Sequence, residues 1–252
     1  MRALSGWTRW RVLSRSLFIQ AGFNAEGMQS LGMLYALYPA LKELYPDPIA
    51  QQLAARRHLS AFNTHPYVAA AIIGGILFHE RRIVDGEEPP EKVNEFKAAL
   101  MGPLAAMGDG FFWLSLRPAC GALAVATVPW LGAWSALLFL VLYNLVHFTA
   151  RGYLFFVGLE HGEGMVSRIA TMQIPWWSEQ LRRIAAGCAG GLAALLAIQY
   201  GAQQGGRGAP LLAGGCLLFG GLAWVLVSRA KVSPYLVLYA AALFSGALGA
   251  LL

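Results

Sequence analysis

From Pro118 to Ala150 the chain carries no Lys, Arg, Asp or Glu. A helix crossing a bilayer needs about 20 consecutive apolar residues. Within hydrocarbon every backbone N–H and C=O must be satisfied inside the protein, which leaves helices as the natural form for such a run. The stretch therefore predicts membrane-embedded helices. The rest of the composition agrees: 13% of residues are charged, against about 25% in an average soluble domain. The charge is also uneven, since nine of the 13 acidic residues precede residue 100 and none follows Glu179. The expected fold is all-α: a polytopic integral membrane protein with interrupted or re-entrant helices and amphipathic N-terminal helices. Residues 1–95 form the amphipathic and re-entrant region, and residues 96–252 the transmembrane region.

The net charge of +6 does not indicate a nucleic-acid partner. Arg2, Arg9, Arg11 and Arg15 cluster at the start, while Arg182, Arg183, Arg229 and Lys231 flank apolar runs. That is how cytoplasmic loops orient membrane proteins, and no basic stripe interleaved with aromatics is present. Residues 1–16 read as a basic interfacial arm anchored by Trp7 and Trp10. Leu17–Leu44 has helical periodicity but contains Gln20, Asn24, Glu26 and Gln29, as suits an amphipathic or re-entrant element. The apolar run Tyr67–Phe78 is too short to cross a bilayer alone, and Glu80–Glu95 must be solvated. Ala119–Phe156 is long enough for two packed spans hinged near Pro129–Gly132. Ile184–Tyr200, Ala209–Val227 and Pro234–Leu252 read as three more. Cys120, Cys188 and Cys216 stand apart in apolar segments, as buried thiols do, and not in a disulfide or zinc spacing.

Four places carry candidate chemistry. Asp109 is the one charged side chain between Lys97 and Arg117, and intramembrane acids are costly unless they serve a function. Gly102-Pro103 and Gly108-Asp109-Gly110 are expected to interrupt the helix around it. Asp109 then either caps a broken helix, where an anion is favoured, or accepts hydrogen bonds from a solute or from Arg117. Asn63-Thr64-His65-Pro66 opens the short apolar run. Asn63 or Thr64 would cap that helix and Pro66 would fill its first turn, which leaves His65 as a structural residue or a ligand contact. Gln20 with Asn24, and Glu26 with Gln29, would share helix faces, lining a pore or facing water. Amides and acids are what a neutral polyol needs, because each hydroxyl both donates and accepts. Asn144 and His147 are three apart, and interhelical hydrogen bonding accounts for them. No phosphate loop, nucleophile elbow, zinc-protease or dinucleotide motif is complete, and the five histidines make no metal cluster by spacing. No cofactor or metal is expected, and catalysis by Asp109 with a histidine would lack a nucleophile.

Several long motifs then align in order. They are SLFIQAGFNAEGMQSLG (16–32), RRHLSAFNTHPYVAA (56–70), LMGPLAAMGD (100–109), FWLSLRP (112–118), LFLVLYNLVH (138–147) and KVSPYLVL (231–238). Over nearly its whole length the chain resembles the IID subunit of the mannose/fructose/sorbose family of the bacterial phosphotransferase system. The resemblance implies a multi-pass permease subunit of the bacterial inner membrane, not itself an enzyme. In the family, IID forms the sugar channel with a IIC subunit, commonly as a trimer of such pairs. A cytoplasmic IIAB component carries the phosphate and transfers it to the hexose-like sugar. Carried over by position, the sugar contacts are Asn63, Thr64, His65 and Asp109, with Asn24, Glu26 and Gln29 as further candidates. Pro66, Gly102, Pro103, Gly108 and Arg117 shape the broken helices. The chain departs from the family at Phe23 and Gly27, and in a shorter stretch from about 170 to 209. That shortening leaves a regulatory or scaffold role, without transport, as the alternative.

Overall fold

The first helix, α1 (Gly6–Arg15), starts where Ser5 accepts a hydrogen bond from the Thr8 amide at 3.1 Å, a side-chain N-cap. The computed structural model describes residues 3–203, 209–233, 236–237 and 239–243. Helix α1 is tied to α2 (Ser30–Leu44) through Glu43, whose carboxylate accepts from the Ser5 amide at 2.7 Å, the Ser5 hydroxyl and the Thr8 hydroxyl. Trp7 and Trp10 stay exposed.

Between these helices the structure departs from the expected periodic element. Only Ser30–Leu44 of Leu17–Leu44 is α-helical; Ser16–Phe18 is a 3-10 turn and residues 20–28 are turns and a bridge. Asn24 explains the break. Its side-chain oxygen accepts from the Glu26 and Gly27 amides at 3.1 and 2.8 Å, an Asx turn that competes with the helix ladder. Met28 follows with φ 53°, outside the right-handed helical range. Gln20, Asn24, Glu26 and Gln29 therefore do not share helix faces.

Asp47 caps α3 (Pro48–Arg57) by accepting from the Ala50 amide at 2.8 Å, with Pro48 in the first turn, where its missing N–H costs nothing. Helix α4 (Ala69–Val84) is buried on all sides from Ala69 to Leu77. It lies against α8 (Trp134–His161) with backbones almost touching. A Cβ on Gly74 would strike the Phe155 carbonyl, and one on Gly158 would strike the Ala71 carbonyl. Small residues permit that approach.

The expected helix break at Asp109 does not occur. Helix α5 (Lys92–Gly108), a π-helical segment (Asp109–Leu116) and α6 (Arg117–Ala126) run on as one 35-residue element, Lys92–Ala126, long and apolar enough to cross a membrane. Gly102 and Pro103 lie inside α5, and Asp109 keeps helical torsions of −60° and −47°. Gly102 and Pro103 do not end the helix, and the winding loosens to π-helical only from Asp109 onward. A short helix, α7 (Val128–Leu131), and Gly132 with φ 53° then reverse the chain into α8. The predicted hinge is thus in place, but the first of its two spans begins upstream at Lys92 instead of Ala119. The second, Trp134–Thr171, comprises α8, a 3-10 turn (Gly162–Gly164) and α9 (Met165–Thr171).

The stretches Ile184–Tyr200 and Ala209–Val227, expected as spans, are helical and lie within α10 (Ile174–Gln203) and α11 (Ala209–Ser228). Pro234–Leu252 lies largely outside the described residues, as does the Cys216 side chain; Cys120 and Cys188 are free thiols. The chain divides into two compact units, Met1–Ala186 and Gly187–Leu252. Apart from the isolated bridges Asn24–Met28 and Met28–Phe62, the regular structure of the described residues is helical.

Candidate functional site

The segment before α4 is held by the Gly22–Ser30 turn. The Gln29 amide donates to the Phe62 carbonyl at 2.9 Å, and the Phe62 amide to the Gly27 carbonyl at 3.3 Å. The buried Gln29 side chain completes the pairing, donating to the Thr64 carbonyl at 2.7 Å and accepting from the Thr64 amide at 3.1 Å. Gln29 thus binds a neighbouring strand of chain as another backbone would. Asn24 is likewise spent on its own turn, donating to the Gly22 carbonyl at 3.2 Å. Glu26 and Asn63 are exposed.

Neither Asn63 nor Thr64 caps α4, whose N-cap Val68 receives no side-chain cap bond; His65 instead orders the turn ahead of the helix. Its Nδ1 accepts from the Tyr67 amide at 3.3 Å, and its carbonyl accepts from the Val68 and Ala69 amides at 3.1 and 3.0 Å. Pro66 precedes the first helical residue instead of occupying the first turn. Because Nδ1 accepts, the ring proton sits on Nε2, which is buried without a partner among the described residues. A buried donor left unpaired is costly.

The ring of His65 lies between Phe112, stacked at 5.2 Å, and the edges of Tyr67 at 5.0 Å and Trp113 at 4.9 Å. Gly108 makes this possible, since a Cβ there would overlap the His65 side chain. Two motifs separated by some forty residues in sequence therefore meet at one point, and Gln29 attaches a third. Asp109 follows Gly108 directly and is half-buried. Among the described residues its side chain makes no hydrogen bond or ion pair, and Arg117 is exposed. With the helix unbroken, the capping role for Asp109 is gone. The π-helical winding after it is supported by Ser115, whose hydroxyl donates to the Gly110 carbonyl at 2.8 Å and accepts from Arg182 at 3.1 Å. Such windings are frequent at functional sites.

Sequence reasoning passed over Arg151. It is 3% exposed and bonded to the Ser16 carbonyl, the Ser16 hydroxyl, the Pro66 carbonyl and His147 Nε2. The signal was present: a lone arginine closes the charge-free run, four residues after His147. His147 stacks on Tyr67, in the turn ahead of α4, with ring centres 3.7 Å apart, but its hydrogen bond is with Arg151 of its own helix, so the expected interhelical bond is not made. Asn144 likewise bonds the Leu140 carbonyl of its own helix at 2.8 Å.

Beside this turn opens a pocket of about 530 Å³ walled by Met107, Phe111, Phe112, Tyr153, Met172 and Trp177 among others. Its walls are apolar, and Asn63, Thr64, His65 and Asp109 do not line it. Among the described residues no three His, Cys, Asp or Glu side chains come together as metal ligands.

An all-helical membrane protein whose polar turns gather around one buried histidine is the class these features define. Residues 3–199 match the family described as the PTS system mannose/fructose/sorbose family IID component, and the chain belongs to that family. It is 41% identical over 144 residues to the mannose-specific EIID component of Escherichia coli, covering 56% of this chain and 51% of that protein. It is 34% identical over 149 residues to the fructose permease IID component of Bacillus subtilis, covering 59% and 53%. The sorbose-specific EIID component of Klebsiella pneumoniae is 36% identical over 154 residues, covering 61% and 56%. The matched stretch thus spans about half the length of these curated relatives. Among solved structures, the mannose transporter ManYZ in complex with a microcin superposes with a TM-score of 0.62 at 28% identity, covering 99% of this chain and 98% of that one. A second solved membrane protein gives 0.71 with the same identity and coverage.

Proposed function

We propose that this chain is the IID subunit of a sugar permease, spanning the bacterial inner membrane several times and forming the translocation path with a IIC subunit. A cytoplasmic IIAB component would phosphorylate the arriving hexose-like sugar, and the assembly would be a trimer of IIC–IID pairs. The observation that supports this reading is the contact of His65 in the Asn63–Pro66 turn with Gly108, next to Asp109, with His65 Nε2 and the Asp109 carboxylate both without partners among the described residues. An N–H donor and a carboxylate acceptor are what a sugar hydroxyl, which both accepts and donates, requires. Exposed Asn63 adds an amide to the same turn. Gln29 and Asn24 serve by shaping it, since their side chains are already bonded within the chain; Thr64 has its backbone bonded to Gln29 but keeps a buried hydroxyl without a partner among the described residues. Closing such a site needs a facing surface, which the partner subunit would provide. Alternating access would then expose the turn to either side of the membrane.

Radiolabelled hexose uptake in cells holding the IIC and IIAB components tests this reading. A hydrogen bond to a charged group contributes about 1.5–3 kcal/mol, so Asp109→Asn should lower uptake at subsaturating sugar by about ten-fold or more while the complex still assembles. Uptake at the wild-type rate would remove Asp109 from the site. An assembled complex that transports no sugar, yet alters the activity of another permease, would establish the regulatory role instead.

A further inference from the structure

We infer that Arg151 is the positioning residue that sets the Asn63–Pro66 turn, clamping it to the N-terminal arm through α8. The inference rests on the sugar-binding reading of that turn. Arg151 sits in the middle of the second membrane-spanning element, yet no carboxylate pairs with it among the described residues. Its partners are the Pro66 carbonyl at 2.9 Å, the Ser16 carbonyl at 2.8 Å, the Ser16 hydroxyl at 3.0 Å and His147 Nε2 at 3.2 Å. The Tyr67 ring lies 5.7 Å from the guanidinium carbon. A buried cation with only neutral partners is a poor way to stabilise a fold. It is a good way to fix geometry, because the planar guanidinium directs its donors at set angles.

What it fixes follows from its neighbours. Residues 147, 151, 155 and 158 succeed one another on the face of α8 turned to α4. His147 meets Tyr67, Arg151 meets Pro66, the Phe155 carbonyl meets Gly74, and Gly158 meets the Ala71 carbonyl. The glycine contacts make the lower part of this seam rigid. At its upper end the chain leaves helical geometry, and Arg151 extends the seam to the Pro66 carbonyl, one residue from His65. Its other arm holds Ser16, where α1 gives way to the 3-10 turn ahead of the Gly22–Ser30 segment that binds Thr64. One side chain therefore secures the sugar turn from α8 and also holds the arm leading to the segment that braces it.

The test compares Arg151→Met and Arg151→Lys with the wild type in the assembled IIC–IID complex. Two readings are taken: hydrogen exchange at the Tyr67–Ala69 amides, which are bonded to His65, and the sugar concentration giving half-maximal uptake. Arg151→Met should speed exchange at those amides and raise the half-saturating concentration roughly ten-fold with the maximal rate kept, the mark of lost binding alone. Arg151→Lys, keeping the charge and some of the donors, should recover part of both. Unchanged exchange in an assembled complex overturns the clamp. So does a fall in maximal rate that tracks lost assembly with half-saturation unchanged, which would make Arg151 a general fold residue. If Arg151→Met does not assemble, the lysine variant decides alone by the same two readings. If the wild type takes up no sugar, the transport reading fails, while the exchange rates still decide whether Arg151 holds the turn.

Discussion

At Gly108 the lack of one methyl group decides whether two motifs can meet. A Cβ there would fall on the Cβ and ring of His65 and on the Val68 side chain. His65 is fixed by its bond from the Tyr67 amide and by three aromatic neighbours, so it cannot swing away cheaply. Overpacking of this kind costs about 1–3 kcal/mol. Gly108→Ala should lower the apparent melting temperature of the purified complex and weaken uptake together, whereas Gly110→Ala, whose Cβ would meet nothing within 4 Å, should be close to neutral. Thermal unfolding of the two variants side by side checks this. The residue types around the turn were legible in sequence, because a lone Asp and a His-Pro pair stand out in apolar surroundings. Their bonding was not. Asn24 and Gln29 read as groups available to a sugar, but folding spends them on the chain itself, and a sequence shows donors without showing which acceptors lie near. Arg151 was missed for the converse reason: a sequence shows a lone cation at the border of a charge-free run without showing which carbonyls it will bond.

Among the elements, α4 and α8 form the frame on which the turn is mounted. Their reciprocal contacts at Gly74 and Gly158 abut backbone, not flexible side chains, so an added methyl forces the helices apart. Gly74→Ala and Gly158→Ala should each destabilise by about 1–3 kcal/mol. Because either change alone opens the same seam, the double variant should lose less than the sum. Fully additive losses in denaturant or thermal unfolding would mean that the two contacts are independent. Sequence reading located α4 and the Pro129–Gly132 reversal, where apolar length and turn residues mark them. It overextended the helix before α2, because apolar periodicity continues through Gly22 and Gly27 while Asn24 turns the backbone. It also broke a helix at Asp109 that in fact continues. Glycine and proline report permission to bend, and the π-helical winding of Asp109–Leu116 uses that permission without interrupting the backbone bonds that lipid would leave unsatisfied.

On the scale of the whole fold, four helices converge on a buried carboxylate at the polar end of α4, outside both spans. Glu80 is fully buried and accepts from the Tyr45 hydroxyl at 2.6 Å, pairs with His58 Nε2 at 2.9 Å and lies 3.3 Å from Arg57 Nε. Lys97 of α5 closes the group by donating to the Arg57 carbonyl and the Ser60 hydroxyl, both at 2.9 Å. Burial pushes the Glu80 carboxyl up, but bonding to His58, the Arg57 charge and the Tyr45 hydroxyl outweigh it and hold the group below its ordinary 4.5. Burial pushes His58 below its ordinary 6.5, and its Nδ1 has no partner among the described residues, so the neutral ring donating from Nε2 is the native form. Both shifts act in one direction. Between its depressed native value and 6.5, His58 binds a proton more readily in the unfolded chain, so stability falls as pH drops below 6.5. The Glu80 contribution is complete above 4.5 and is lost as pH falls through its lower native value. The melting temperature of the solubilised complex should therefore be level from about pH 7 to 8 and decline in two stages on acidification. His58→Gln keeps a donor for Glu80 but cannot titrate, so it should flatten the first stage and leave the second. A first stage of undiminished size in that variant would place the acid sensitivity on some other group.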